Sequence, residues 1–263
     1  MKILNDKAII IGFEKIDFDR FPNLKVIGCN ATSTEHIDEE CEKRKIKVIS
    51  LKGETKFLQK IISTAEHTIG LILALMRNYK SAFKNPYQDR DFYIGNVLKE
   101  KTLGIIGYGR VGKQVMEIAK IFRMKVIYFD KDISYPDYSS SHNLEGLLEK
   151  SDIVSLHIPL QNNEGFFTKT MFQKMKPTSY LINTSRSSII EKGALIFALK
   201  NNIIKGAAVD FIDDFELIKY AKNHNNLILT NHMGGCTEED MEKTQNFIEK
   251  KVAEEIKNYE IKP

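Results

Sequence analysis

Six short apolar runs, rich in Ile and Val, recur from residue 101 onward, and between them the hydrophobic period changes. They are LGIIGYG (103–109), KVIYFD (125–130), DIVSLHIPL (152–160), SYLINTS (179–185), GAAVDFI (206–212) and NLILTNH (226–232). A strand that is apolar on both faces must be covered on both faces, which is the situation of parallel strands joined by crossover helices. Between the first two runs Val111, Val115, Ile118, Ala119 and Phe122 recur at helical spacing, and Ala194, Leu195, Ala198 and Leu199 repeat the pattern later. Six parallel strands with helices between them predict an α/β fold built on a doubly wound sheet.

The first 60 residues repeat the theme with AIIIGF (8–13), LKVIGC (24–29) and KVIS (47–50), so a second, smaller α/β unit is expected. Ser63 and Glu66 have the spacing of a capping box at the start of a long helix through TIGLILALMRN, expected to link the two units. From Thr237 onward Met241, Ile248, Val252 and Ile256 share one helical stripe that should pack back on the N-terminal unit. The expected division is 1–62 with 236–263 as the small domain and 63–235 as the large one, with a hinge over a cleft where the chain crosses near residues 63 and 235.

Composition narrows the function. With 39 Lys plus Arg against 35 Asp plus Glu, a net charge of +4 and no basic block, no nucleic-acid partner is expected. The longest uncharged apolar stretch, 68–76, is too short to span a bilayer, and the charged N-terminus does not read as a signal peptide, so no membrane partner is expected. Cys29, Cys41 and Cys236 lack metal-ligand spacing and cannot all pair, which suits a reducing cytoplasm and no metal.

Gly107, Gly109 and Gly112 in GYGRVG form a G-x-G-x-x-G that follows an Ile-rich strand and opens an amphipathic helix. The first glycine permits the tight turn, the second lets a pyrophosphate approach, and the third allows close helix packing, while the amides of Arg110 and Val111 lie at the helix start. Asp130 ends the next strand, placed to accept hydrogen bonds from an adenosine ribose and to repel a 2'-phosphate. NAD is favoured over NADP, with Lys131 beside it softening the preference.

With the cofactor placed, the ordered segments PNLKVIG (22–28), TAEHTIGLILALMRN (64–78), KTLGIIGYGRVGK (101–113), SDIVSLHIPL (151–160), LINTSR (181–186), GAAVD (206–210) and NHMGGCT (231–237) resemble the D-isomer-specific 2-hydroxyacid dehydrogenases. That family includes phosphoglycerate, glycerate and D-lactate dehydrogenases. The resemblance implies a Rossmann domain beside a smaller, trimmed flavodoxin-like domain for the substrate. It implies that Arg186 binds the carboxylate and carbonyl of a 2-oxo acid, a task suited to a planar guanidinium. It makes His232 the acid-base, since imidazole titrates near working pH. Asp210 would contact the nicotinamide carboxamide, with Thr184 also at the cofactor, and residues 83–95 would form an arm that embraces a second copy.

Three departures accompany the resemblance. Where the family has a glutamate paired with the histidine, this chain has Phe215; Asp213, Asp214 and Glu216 flank it, and Asp214 or Glu216 is favoured as the replacement, the alternative being that these acids solvate a loop or helix start. Ala31, Thr32 and Ser33 replace the glycines of the loop whose amides hold the substrate carboxylate. The small domain is shorter than expected, which would loosen closure.

The expected function is hydride transfer between NAD and a small 2-hydroxy or 2-oxo acid, by a homodimer. The rival is an NAD(H)-binding regulator or scaffold with weak or no turnover; a different Rossmann enzyme would explain the glycines but not Arg186 with His232. No catalytic role is assigned to His36, His67, His142, His157 or His224, although His157 can line the cofactor pocket or pack in the core.

Overall fold

The computed structural model describes residues 1–34, 36–132 and 143–261, so His142 and Glu35 lie outside the described residues. The chain divides into two compact units, Met1–Ile61 with Cys236–Pro263, and Ile62–Gly235.

The smaller unit carries β1 (Lys2–Asn5), β2 (Ala8–Ile11), β3 (Val26–Cys29) and β4 (Lys47–Ser50), with helices α1 (Asp38–Lys43) and α2 (Thr55–Leu58). The sheet order is β1-β2-β3-β4, with β2, β3 and β4 parallel and β1 antiparallel to β2. The sequence reading missed β1. It is an edge strand with mostly exposed residues, so KILN lacks the apolar run that marks its neighbours. A tight turn holds it, in which Asn5 Oδ1 accepts from the Lys7 amide at 2.9 Å.

The C-terminal helix, Glu238–Ile261, covers one face of this sheet: Ile248 and Val252 are fully buried against Ala8, Ile10 and Val26. The expected stripe is shorter than four residues, because Met241 is 55% exposed and the packed face begins at Phe247. The opposite face packs on Ile37, Cys41 and Ile46.

The larger unit begins with α3 (Ser63–Met76) and α4 (Tyr79–Lys84). Strands β5 (Thr102–Ile106), β6 (Lys125–Phe129), β7 (Ile153–Leu156), β8 (Tyr180–Asn183), β9 (Gly206–Val209) and β10 (Leu227–Leu229) follow, each overlapping one of the six apolar runs. The helices are α5 (Arg110–Ile121), α6 (Leu144–Lys150), α7 (Lys169–Lys174), α8 (Ala194–Lys200) and α9 (Phe215–Asn223). All five strand pairings are parallel, in the order β10-β9-β8-β7-β5-β6.

Alternate residues of each strand serve opposite faces. Leu103, Ile105, Ile153, Ile182 and Ala208 pack with α3 and α5, whereas Ile106, Val154, Leu156, Leu181 and Val209 pack with α6 to α9. From β5 the chain crosses to β6 on one side and then to β7 on the other. That reversal opens a crevice at the carboxyl ends of β5 and β7, where open α/β sheets bind ligands.

The capping box at the start of α3 does not form. The Ile62 carbonyl already accepts from the Ala65 and Glu66 amides, so Ser63 lies inside the first turn, and the cap position makes no side-chain hydrogen bond. Among the described residues no helix is long and apolar enough to cross a membrane.

Candidate active site

The glycine loop stands at the switch point, and each glycine meets a different constraint. Gly107 has φ +94°, and a Cβ there would lie 2.5 Å from the His157 carbonyl oxygen, so only glycine fits between β5 and the end of β7. A Cβ at Gly112 would lie 2.2 Å from the Gly107 carbonyl, which brings α5 hard against the turn. At Gly109 the same Cβ would meet nothing within 4 Å. That residue is the N-cap of α5, so the space beside it lies at the start of the helix, next to Arg110 and Val111. This concavity fits a pyrophosphate.

Asp130, at the end of β6, accepts from the Tyr108 amide at 2.7 Å and from the Asp132 amide at 2.9 Å, so the expected ribose ligand also braces the loop. His157 is held neutral: burial pushes its pKa down to about 4, and its Nε2 meets Ser155 Oγ at 2.8 Å.

Arg186 follows β8. The Asn183 side chain fixes its backbone by donating to the Arg186 carbonyl at 2.9 Å, and the guanidinium donates to the Ser185 carbonyl at 2.9 Å while keeping part of its surface open. Thr184 is buried, with its hydroxyl 3.0 Å from that of Thr68 on α3. Thr68 spends its single hydroxyl proton on the Thr64 carbonyl at 2.7 Å, so Thr184 is the donor between the two and faces other groups only as an acceptor.

His232 stands three residues beyond β10 with φ +51°, a left-handed backbone that is uncommon away from glycine. The turn is held by Asp210, whose buried carboxylate accepts from the Met233 amide at 2.9 Å, the Gly234 amide at 2.8 Å and the Thr230 hydroxyl at 2.6 Å. Burial raises the Asp210 pKa, but these bonds and His67, 3.5 Å away, outweigh it and hold the carboxyl well below the usual carboxylate range.

The His232 imidazole keeps more than a third of its residue surface open, yet its pKa is lowered. Desolvation by the surrounding protein is the largest cause and the Arg186 guanidinium the next; the charges of Asp210 and Asp213 oppose them. Arg186 and His232 follow β8 and β10, which flank β9 in the sheet.

The two residues favoured to replace the missing glutamate have local roles in α9. Asp214 is the N-cap of α9, accepting from the Glu216 and Leu217 amides at 2.8 and 3.3 Å, and Glu216 is an exposed first-turn residue of that helix. The acids whose charges act on the imidazole are Asp210 and Asp213, and Asp213 accepts a hydrogen bond from Ser187 next to Arg186. Phe215 is 73% exposed.

In the smaller unit, residues 31–33 follow β3. Ala31 is buried in the core and its carbonyl accepts from the Leu51 amide at 3.0 Å, so its side chain is directed to packing, whereas Thr32 is exposed and Ser33 half-buried. His36 packs near Phe13, and His224 stacks on Tyr220 with its ring nitrogen at the Tyr220 carbonyl. Sequence reasoning missed His67, Thr68 and Thr230. The first two sit in the quoted TAEHT and the third two residues before His232, but their partners lie 20 to 163 positions away.

A doubly wound parallel sheet with this glycine loop defines a dinucleotide-binding Rossmann domain. The model of the family described as D-isomer specific 2-hydroxyacid dehydrogenase, NAD binding domain, matches residues 69–234. The chain is 35% identical over 258 residues to a glyoxylate reductase of Thermofilum pendens, covering 88% of this chain and 73% of that one. It is 34% identical over 254 residues to a D-3-phosphoglycerate dehydrogenase of Bacillus subtilis, covering 91% of this chain and 46% of the relative, less than half its length. A solved D-lactate dehydrogenase of Aquifex aeolicus, complexed with NAD and lactic acid, aligns with a TM-score of 0.76 at 26% identity, covering 96% of this chain and 83% of that one. The chain belongs to the D-isomer specific 2-hydroxyacid dehydrogenase family, with NAD as cofactor.

Proposed function

We propose that the protein reduces a small 2-oxo acid to its D-2-hydroxy acid, reversibly, with Arg186 and His232 as the reacting pair. The observation that carries this reading is the placement of Arg186 after β8 and of His232 after β10, in loops at the carboxyl edge of the sheet that bears the glycine loop. NAD, when bound, supplies or accepts the hydride. The glycine loop, Arg110, Val111 and Asp130 would hold it, with Thr184 and Asp210 at its other end. Asp210 retains acceptor capacity on Oδ2 beyond the Gly234 amide.

Arg186 holds the substrate carboxylate and polarises the carbonyl. His232 gives its proton to the carbonyl oxygen in reduction and takes it from the hydroxyl in oxidation. Because the imidazole pKa is lowered, chiefly by desolvation, the neutral base is favoured in the free protein. Oxidation then persists to lower pH than an unperturbed histidine would allow, and reduction weakens as pH rises through that lowered value. Asp213 takes the place of the family glutamate in stabilising the imidazolium. Residues 31–33 are the segment assigned to the substrate carboxylate.

Glyoxylate is the first substrate to try, given the relative from Thermofilum pendens. A homodimer is supported by Phe83, Tyr87, Phe92, Ile94 and Val97, all 72% exposed or more on one short segment, and a reducing cytoplasm by the free cysteines.

The test is NADH oxidation with glyoxylate, pyruvate and hydroxypyruvate. Arg186→Ala is expected to abolish turnover while NADH binding persists; equal loss of both would make the arginine structural. Phe215 at the family's glutamate position favours a second reading, an NAD(H)-binding regulator, which micromolar NADH binding without oxidation by any acid would support.

A further inference from the structure

We infer that His67 and Thr68, consecutive residues on α3, position the Arg186 loop and the His232 turn relative to each other. The inference rests on the assignment of Arg186 and His232 as the reacting pair.

Neighbouring residues on a helix point in different directions, and here each direction meets a different loop. Thr68 Oγ1 is 3.0 Å from Thr184, two residues before Arg186. His67 Nε2 is 3.2 Å from Thr230 Oγ1, two residues before His232, and 3.5 Å from Asp210 Oδ1. The same helix borders the far side of the turn, since a methyl added at Gly234 would lie 3.5 Å from Thr64 Cγ2 and 3.6 Å from His67 Cδ2. One helical turn of α3 therefore touches the approach to both reacting side chains and brackets His232 before and after.

Counting protons fixes the direction of the network. The Thr230 hydroxyl has one proton and gives it to Asp210 Oδ1 at 2.6 Å, so Thr230 accepts from His67, which must carry its proton on Nε2. Asp210 in turn takes the Met233 and Gly234 amides, the two that follow His232. A left-handed backbone is strained for a non-glycine residue, so the turn persists only while surrounding bonds over-determine it. His67 is the outermost donor of that set. Removing it leaves the Thr230 hydroxyl without its donor and the Asp210 carboxylate without its His67 neighbour, which weakens the set of bonds that holds the turn. His67 and Thr68 are positioning residues; neither needs to touch the substrate.

The experiment compares the wild-type protein with His67→Leu, His67→Gln, Thr68→Val and Thr68→Ser. Glutamine and serine keep a donor near the original atom; leucine and valine do not. Amide exchange at Met233 and Gly234 is expected to quicken about tenfold in His67→Leu, as for loss of one hydrogen bond in a buried charged network. With glyoxylate and NADH, kcat is expected to fall by about the same factor in His67→Leu and Thr68→Val, with KM and NADH affinity within about twofold, because positioning acts on the chemical step. His67→Gln and Thr68→Ser should restore most of both.

Unchanged exchange and kcat in His67→Leu, or a glutamine variant no better than leucine, would overturn the inference. A wild-type protein that turns over none of the 2-oxo acids would sink the functional reading instead, while the exchange measurement still decides whether α3 holds the turn.

Discussion

Two turns at the carboxyl edge of the larger sheet hold backbone at positive φ, and they do so by opposite means. At Gly107 the residue itself permits φ +94°, and the missing side chain is what lets the His157 carbonyl approach. At His232 the side chain proposed as the acid-base occupies φ +51°, and the conformation is held by a carboxylate 22 positions earlier in the chain, supported from α3. The first turn carries its geometry in its own sequence. The second borrows it from tertiary structure, so its stability and its chemistry are separable in a way that those of the glycine turn are not.

The strongest way to break this contrast is His232→Gly. Turnover is expected to fall by about 10²–10⁴-fold with the acid-base lost. Stability should change by less than about 1 kcal/mol, because relief of the left-handed strain is nearly offset by the extra chain entropy of glycine in the unfolded state. Denaturant midpoints alongside NADH oxidation rates check both halves; a large loss of stability would mean that the imidazole itself holds the turn. The mirror substitution, Gly107→Ala, should destabilise by roughly 3 kcal/mol or more, since the new methyl meets backbone at 2.5 Å and the φ is wrong for alanine. Urea unfolding that left the midpoint in place would show that β5 and β7 can separate there.

The same contrast explains what was legible in the sequence. The six strands of the larger sheet declared themselves because a strand buried on both faces must be apolar throughout, and the glycine loop because steric demands fall on the glycines themselves. β1 was missed because an edge strand need not be apolar, and Met241 was placed in the core because helical spacing alone does not reveal where the sheet ends. Arg186 and His232 could be named only through the family likeness. Their supports, Asp210 to Met233 and Gly234, His67 to Thr230 and Thr68 to Thr184, join residues distant along the chain, which no local pattern encodes. The sequence leaves Asp214 and Glu216 open for a related reason: an acid one residue before a helix serves as readily as a cap as it does as a partner for histidine, and Asp214 does cap α9.

Gly109 sharpens the comparison within the glycine loop. Its φ of −75° suits alanine and a methyl there meets nothing, so Gly109→Ala should leave the thermal midpoint unchanged or slightly raised. NADH affinity, read by fluorescence quenching, should still fall by about tenfold, equivalent to roughly 1.4 kcal/mol, because the methyl occupies the space a pyrophosphate needs. Gly107 would then be required by the fold and Gly109 by the ligand.

The smallest expected effects separate the two adjacent acids near the His232 turn. Asp214→Ala removes a helix cap and should cost about 1 kcal/mol in urea unfolding, with the pH dependence of turnover unmoved. Asp213→Asn keeps an acceptor for Ser187 and should leave stability alone, but it removes a negative charge that favours imidazolium. With that charge gone the His232 pKa falls further, so the acid limb of hydroxy-acid oxidation moves to lower pH and reduction begins to weaken at lower pH as well. If Asp214→Ala moved the limb and Asp213→Asn did not, the cap would be the carboxylate that answers to His232, although the turn itself would still be held by Asp210.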